Sequence, residues 1–580
     1  MSTSTEANST PKTTGNPKVL VVGAGPSGLV AALSLLRNGI DVRIIDKSFN
    51  QPGQRGAGII PRSLELLSYL GVYDDVENLA IPVPTIRSYK MPEGTEQLKE
   101  IVMLPHLEPT PAVPYPNALF LGQASLRGLL LKYLQKAGRS IELGVALKSL
   151  EDRGSNGVHA TLVHQASEES TELTEEEATF EYVIGADGAK GVVRKLLGLT
   201  FLGLKHDENF IVGDLVVEGL STERWHHWGT VADLLISIRP TELEGVFHLI
   251  AGGSNMTNYK EIMSTKESLI KFIKENSGHR HDFEVKDVNC VWHYVVNTRM
   301  TETFHKGRVF VIGDACHVHS PFGGQGLNTS VQDAFNLSWK IALAIKGLAP
   351  QSLPETYTEE RIPVIAEMLD ISSHFLKLTV SNAQSADSGW LRTEVIKQLG
   401  VNYRSSSIVI EEEEEGTTKV DRKDRTFGSA YHPDPSGVLH AGDRAPNAPG
   451  LMRIGAGSSH QETSLFKLYD PTRHSVLLFA DRMDNQLKGS PSQLDRYPRD
   501  LVRFFVIAGN GLGKETHANL ITGGYEAYED LQGHANNIYF ANGFEKHGVV
   551  IVRPDGVVAA RLMTLSKVED YFQGIFGNLV

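Results

Sequence analysis

Two hydrophobic rhythms alternate along this chain. After Lys18, the short apolar run Val19-Leu20-Val21-Val22 has the pattern of a strand buried on both faces of a parallel sheet. A glycine-rich turn follows. Leu29, Leu33 and Leu36 then recur at helical spacing, closed by Asn38-Gly39. The run Val42-Arg43-Ile44-Ile45 leads to Asp46 and completes a βαβ unit. Leu64, Leu67 and Leu70, after Pro61, predict another helix.

From about Thr200 to Arg299 the rhythm becomes alternation, as in Phe210-Ile211-Val212-Gly213-Asp214-Leu215-Val216-Val217, and predicts a mostly antiparallel sheet inserted into the first unit. Arg308-Val309-Phe310-Val311-Ile312 returns to the buried-strand pattern. Long helical patterns then cover roughly 326–345 and 362–380. The acidic run Glu411 to Glu415, with Gly416-Thr417-Thr418, predicts a solvated loop, because like charges stay hydrated. Gly442-Asp443-Arg444-Ala445-Pro446 opens a last unit with strands at Ser475–Ala480 and Gly548–Arg553.

Composition narrows the partners. A chain of 580 residues is too long for one core, so two or three domains are expected. A formal net charge of −13 opposes nucleic-acid binding, which needs a basic surface. No run approaches the roughly 20 apolar residues of a membrane span. The Ser/Thr-rich stretch Met1 to Asn16 reads as a disordered tail and not as a signal or anchor. The last residues, Gly577-Asn578-Leu579-Val580, carry no targeting motif. The only two cysteines, Cys290 and Cys316, form neither a CxxC pair nor a metal-ligand cluster. A reducing, cytoplasmic setting is expected.

Three motifs carry chemistry. In Gly23-Ala24-Gly25-Pro26-Ser27-Gly28, Gly23 permits a tight turn, Gly25 lets backbone approach a pyrophosphate, and Gly28 allows close helix–strand packing. Asp46, beside Lys47 at the end of the next strand, is placed to accept bonds from ribose hydroxyls. The second motif, Gly185-Ala186-Asp187-Gly188 continuing to Arg194, would alone be only a turn. The third is Gly313-Asp314-Ala315-Cys316-His317, then Ser320-Pro321-Phe322-Gly323-Gly324-Gln325-Gly326-Leu327-Asn328. A buried strand ends there at an acid, and a Pro-stiffened glycine loop feeds a helix N-terminus that can stabilise negative charge on a flat ring.

In this order the motifs resemble the group A flavoprotein aromatic hydroxylases, the p-hydroxybenzoate hydroxylase and phenol hydroxylase family, over nearly the whole chain from Lys18. The resemblance implies an α/β protein: a Rossmann-like FAD-binding domain (17–199 and 300–400, with a helical extension), an inserted antiparallel substrate-binding sheet (200–299), a linker (401–434), and a C-terminal thioredoxin-like α/β domain (435–580). It implies FAD as cofactor and NADPH or NADH as transient co-substrate. It further implies one oxygen atom of O2 delivered to a phenolic or aromatic substrate through a flavin C4a-hydroperoxide. Gly23, Gly25, Ser27 and Gly28 would hold the pyrophosphate, and Asp46 with Lys47 the adenosine end. Arg55 would contact the diphosphate region and Gln123 the cofactor. Asp187 belongs to a motif tied to both FAD and NAD(P)H, and Asp314 would bind the ribityl or pyrophosphate region. Pro321 would sit beside the reacting edge of the isoalloxazine. Gly326 opens the helix whose Leu327 and Asn328 backbone would bond its pyrimidine carbonyl.

Lys190-Gly191 stands where many members have Arg-Ser, and Cys316 replaces a common alanine. The C-terminal domain has no cysteine, so disulfide chemistry is excluded there and a structural or dimer-supporting role is implied. A flavin halogenase is disfavoured by the absence of Trp-x-Trp-x-Ile-Pro. Oxidative decarboxylation, epoxidation, Baeyer–Villiger insertion and a non-enzymatic flavin-binding role remain as alternatives. His226 and His227 are expected to face solvent or to pack. His317 and His319 are not expected to bind metal, because no carboxylate is seen to pair with them. Gly509-Asn510-Gly511-Leu512-Gly513-Lys514-Glu515 lacks the P-loop spacing and reads as a loop. For the base that ionises a phenol, Tyr294, Asp214 and Arg239 are candidates, with none preferred.

Overall fold

The computed structural model describes residues 17–50, 53–253, 256–320, 323–381, 394–412, 428–455, 462–483, 496–510, 526–540 and 547–577. The predicted βαβ unit opens a six-stranded sheet. In spatial order its strands are His305–Lys306, Val309–Val311, Tyr182–Gly185, Val19–Val22, Val42–Asp46 and Ile141–Leu143. All neighbours run parallel except the outermost pair at His305–Lys306. Every residue of Val19–Val22 is buried, which is why that stretch is wholly apolar. Helices Pro26–Arg37 and Gln325–Ile345 pack on each other, Ser338 Oγ donating to the Ala31 carbonyl at 3.4 Å.

The alternating region forms an eight-stranded sheet. Its spatial order is His317–Val318, Glu284–Met300, Leu202–Glu218, Val246–Gly253, Leu235–Pro240, Arg224–Gly229, Thr85–Tyr89 and Gln97–Ile101. It therefore reaches beyond 200–299. Two strands come from residues 85–101, one of them joined in parallel to Arg224–Gly229, so no hairpin signal announces it. A three-stranded antiparallel sheet, Val145–Asp152, Val158–Gln165 and Leu173–Phe180, is a further element that the hydrophobic pattern does not announce.

The last unit is built on a second eight-stranded sheet that includes His474–Phe479, Val502–Gly509, Val549–Val552 and Val558–Leu562. Its edge strand is Ile410–Glu411, paired in parallel with Val558–Leu562. Here the reading of Glu411 to Glu415 as a hydrated loop needs correction at its first two residues. Glu411 accepts the Ala441 N–H at 2.6 Å and Glu412 the Met563 N–H at 2.6 Å. Burial pushes the Glu411 carboxyl up to about 7. Residues 413–415, and the loop after Asn510, lie outside the described residues.

The helix expected over 362–380 runs instead from Ser352 to Ser381, straight through Pro363. Proline removes a helix bond and kinks the chain. The turns before it are held by buried Tyr357, Glu360 and Arg361, and these contacts outweigh the cost. Glu360 accepts from Lys340 Nζ at 2.7 Å, Asn336 Nδ2 at 2.6 Å, Ser406 Oγ at 2.6 Å and both terminal nitrogens of Arg553. Arg553 in turn pairs with Asp555. This fully buried network joins the two long helices to the hairpin of the last sheet.

Candidate active site

Three turns converge at the C-terminal ends of the parallel strands. Gly23 has φ +106°, and a Cβ there would lie 2.4 Å from the Ala186 carbonyl oxygen; one on Gly28 would lie 2.1 Å from the Gly23 oxygen. Both glycines are therefore demanded by the fold. Gly25 is different: a Cβ there would meet nothing within 4 Å. It caps helix Pro26–Arg37 with no side-chain hydrogen bond, leaving first-turn N–H groups facing open space. Asp46 braces the turn, its Oδ2 accepting the Ala24 N–H at 3.0 Å and its Oδ1 the Ser48 N–H at 2.9 Å. Lys47 is exposed beside it.

The third motif closes on the first. A Cβ on Gly313 (φ +58°) would lie 3.2 Å from Ser27 Oγ, and Asp314 is exposed on the next residue. Gly324, left-handed at φ +65°, caps helix Gln325–Ile345 without a side-chain bond. Gly326 is required because a Cβ would fall 2.7 Å from His319 Nε2. Arg55 is exposed at φ +42°, one residue from Gln54, whose carbonyl accepts the Gln123 N–H at 2.8 Å. Loop and helix thus bring Arg55 and Gln123 together.

The large sheet supplies the other wall, and its register decides what that wall presents. Side chains two apart share a face. Phe210, Leu235, Val296 and Trp225 point toward an apolar cluster completed by Phe120 and Phe375 from outside the sheet. In the same phase lies one polar rung across four strands: Cys290 opposite Asp214, Asp214 opposite His248, and His248 opposite Arg239. Asp214 Oδ1 is 2.7 Å from His248 Nδ1. Its Oδ2 accepts the Gln54 N–H at 2.7 Å and the Cys290 thiol at 3.3 Å. Arg239 donates to the Pro240 and Arg55 carbonyls at 3.3 and 3.4 Å. The rung therefore adjoins the Arg55 loop.

Residues 16–372 match the family model described as FAD binding domain. The chain belongs to this family. It is 33% identical over 433 residues to a flavin-dependent monooxygenase of Mycobacteroides abscessus, covering 74% of this chain and 83% of the relative. It is 28% identical over 478 residues to the pentachlorophenol 4-monooxygenase of Sphingobium chlorophenolicum, covering 79% of each. Its fold is similar to that of aklavinone-11 hydroxylase, solved with FAD and aklavinone, at a TM-score of 0.73 and 23% identity, over 97% of this chain and 99% of the other. The protein is an FAD-dependent monooxygenase, and the open ledge at Gly25, the uncapped helix and Asp46 fit the diphosphate and ribose of FAD.

Several residues of this FAD-binding protein take roles that the motifs do not announce. Arg127, one helical turn after Gln123, donates through Nε to the Ala24 carbonyl at 2.9 Å, placing a half-buried cation on the Gly23–Gly28 turn. Only its i+4 spacing from Gln123 could have flagged it. Asp187 accepts the Val192 and Val193 N–H groups at 2.6 and 3.0 Å, while burial raises its carboxyl. A Cβ on Gly191 would lie 2.2 Å from Asp187 Oδ1, which gives the glycine at that position a steric reason. Asn328 uses its side chain to hold the Gly58–Ile59 strand, accepting from the Ile60 N–H and donating to the Gly58 carbonyl. Leu327 is half-buried beside it, and Pro321 lies outside the described residues.

Of the two roles expected for His226 and His227, packing is the one found: both are buried. His226 bonds Tyr89 at 2.8 Å, and burial lowers the pair to about 4 and 3. His317 does pair with a carboxylate, Asp333 at 2.8 Å, and with Cys316 it stands close enough for a metal ion. Arg361 already holds Asp333 at 2.8 Å, a cation where a metal would need an open ligand.

Burial and the neighbouring Asp214 push the Cys290 thiol up to about 11, and burial raises Cys316 as well. Near pH 8 a disulfide reagent such as DTNB should therefore leave the native protein unmodified over minutes, whereas denaturant should release both thiols. A fast-reacting equivalent in the native protein would contradict this reading.

Proposed function

We propose that this monooxygenase hydroxylates the electron-rich ring of a phenolic substrate, using NADPH or NADH and O2. The observation that carries the proposal is the wall of the large sheet: aromatic side chains around one buried polar rung, next to the loop of Arg55. Bound FAD, reduced by the nicotinamide, supplies the electrons that activate O2. The chain's own residues do the rest. Phe120, Phe210, Trp225 and Phe375 exclude water, which protects a reactive oxygen species from loss as hydrogen peroxide. The rung offers acceptors and a cation to one polar edge of an otherwise apolar molecule.

In the same reading Gly23, Gly25, Ser27 and Gly28 hold the pyrophosphate, Asp46 and Lys47 the adenosine end, and Arg55, Arg127 and Gln123 the diphosphate region. Asp314 takes the ribityl chain. The first turn at Gly326, Leu327 and Asn328 faces the ring system. Residues 17–199 and 300–400 make the cofactor domain, with strands 85–101 lent to the substrate sheet.

We further assign a thioredoxin-like fold to residues 435–580. Two parallel strands, His474–Phe479 and Val502–Gly509, lie beside the antiparallel pair Val549–Val552 and Val558–Leu562, followed by helix Ser566–Phe576. Without cysteine it is a docking block whose buried contacts to the long helices support a structural role, and a homodimer would add a second use for its outer face.

The test is NADPH and NADH oxidation by the FAD-loaded protein across substituted phenols. Oxidation should accelerate with ring electron density. Rates unaffected by every phenol, including polycyclic ones, would overturn the phenolic reading.

A further inference from the structure

We infer that His248 takes the proton of the substrate's hydroxyl, with Asp214 positioning its imidazole and Arg239 holding the phenolate that results. The inference rests on the phenolic reading above and assigns the base that the sequence leaves open.

Geometry comes first. His248 and Asp214 are cross-strand partners, 2.7 Å apart and 3% and 4% exposed. Asp214 is held by three donors from three segments: the His248 ring, the Gln54 N–H and the Cys290 thiol. With Oδ1 accepting from Nδ1, the ring is fixed as the tautomer whose lone pair is on Nε2. Nε2 makes no hydrogen bond among the described residues and is not sealed from solvent. It shares its face with the apolar cluster.

The charges are consistent with this role. Facing His248 are Asp214 on one neighbouring strand, Arg239 on the other and Cys290 beyond Asp214, with Glu242 near Arg239. Burial, and then Arg239, lowers the imidazole to about 4, so the resting ring is neutral; this lowering opposes protonation, and the pairing of the new charges with Asp214 and Arg239 has to offset it. Despite burial, the His248 contact keeps the Asp214 carboxyl below its usual range, so it stays ionised. Arg239 is buried and has no carboxylate within ion-pair distance among the described residues; burial brings it down to about 10. Such a cation lacks the partner that burial ordinarily requires.

The step balances. A substrate O–H bond breaks, its proton joins Nε2, Nδ1–H stays on Asp214, and the electron pair remains on the substrate oxygen beside Arg239. Asp214 then faces an imidazolium and Arg239 an anion, so each buried charge gains a partner. The ring becomes more electron-rich without any group leaving. Tyr294, the remaining candidate, is not recruited: its hydroxyl donates to the His319 carbonyl at 3.4 Å, and burial pushes its pKa up, so it resists ionisation.

The probes are 4-nitrophenol and alizarin, one small and one polycyclic, which change colour on ionisation. Each is titrated against pH when bound to the FAD-loaded protein. In wild type the bound probe should ionise at least about one pH unit below the free probe, a tenfold shift in equilibrium. His248→Asn keeps a donor toward Asp214 but lacks the Nε2 acceptor, and should return that shift by about one unit. His248→Gln, which places an amide near Nε2, should bind the probe without ionising it, and Asp214→Asn should lose part of the shift. Flavin absorbance at unchanged FAD content establishes that each variant is folded. Ionisation of the bound probe indifferent to His248→Asn would overturn the assignment and leave the phenolic reading standing. Failure of wild type to bind any phenol would overturn both.

Discussion

Replacing Gly25 with valine should leave the apo fold intact and weaken FAD binding by at least about 100-fold, close to 3 kcal/mol. A Cβ added at Gly25 meets no protein atom within 4 Å beyond its chain neighbours, so the site is open where the side chain begins. That side chain would occupy the ledge before the uncapped N-terminus of Pro26–Arg37, where a diphosphate needs direct approach to backbone N–H groups. Gly28→Val is the contrasting case. Its Cβ would lie 2.1 Å from the Gly23 oxygen, so the variant should fail to fold. Far-UV circular dichroism reports the fold, and flavin fluorescence titration reports the affinity. A Gly25→Val protein that retains FAD as wild type does would remove the diphosphate from this ledge.

Glu360→Ala should produce the largest stability loss in the molecule outside the glycine turns, about 3–5 kcal/mol. The carboxylate is fully buried and balances Lys340 and, together with Asp555, Arg553; its loss would leave Lys340 as an uncompensated buried cation and Arg553 with Asp555 alone. The same physics predicts that replacing Glu360 and Lys340 together by methionine costs much less, since one charge and its counter-ion vanish together while Arg553 keeps Asp555. Guanidinium unfolding of both variants separates the network's pairing from its packing. Acid should act on the same residue. Burial opposes the charge of Glu360, but Arg553 and Lys340 outweigh it and hold its carboxyl well below the usual range. The unfolded chain then binds a proton that the folded chain refuses, so the contribution is complete above about pH 4.3 and fades as pH falls below it. Wild type should therefore lose stability steeply below about pH 4, and the variant with methionine at 340 and 360 less so.

How much of this was legible from the sequence depends on how local the signal is. The strand–turn–helix at Val19 to Arg37 could be read residue by residue, because burial on both faces demands an unbroken apolar run and Gly23 and Gly28 have no room for a Cβ. The wall formed by the large sheet could not be read in this way. Arg239 and His248 face each other across one hairpin, but Asp214 lies 34 residues before His248, and only cross-strand register brings it into the rung. A faint signal existed: His248 is a titratable residue inside the apolar strand Val246–Gly253, in phase with Ile250. Strand Thr85–Tyr89 was hidden because its partner lies more than a hundred residues later and pairs in parallel. The helix over 362–380 starts earlier than its pattern announces, because buried contacts of Tyr357, Glu360 and Arg361 carry it through Pro363. Glu411 and Glu412 were misplaced for a related reason, since charge density predicts hydration only when no backbone donor is waiting in the fold.

The central claim is tested most directly by turnover of the FAD-loaded protein with NAD(P)H and a phenolic substrate under isotopically labelled O2, with the product analysed by mass spectrometry. One labelled oxygen per product molecule, on a ring carbon, is the expected result. A product whose new oxygen comes from water, or NAD(P)H oxidation that yields only hydrogen peroxide with every phenol tried, would contradict the account.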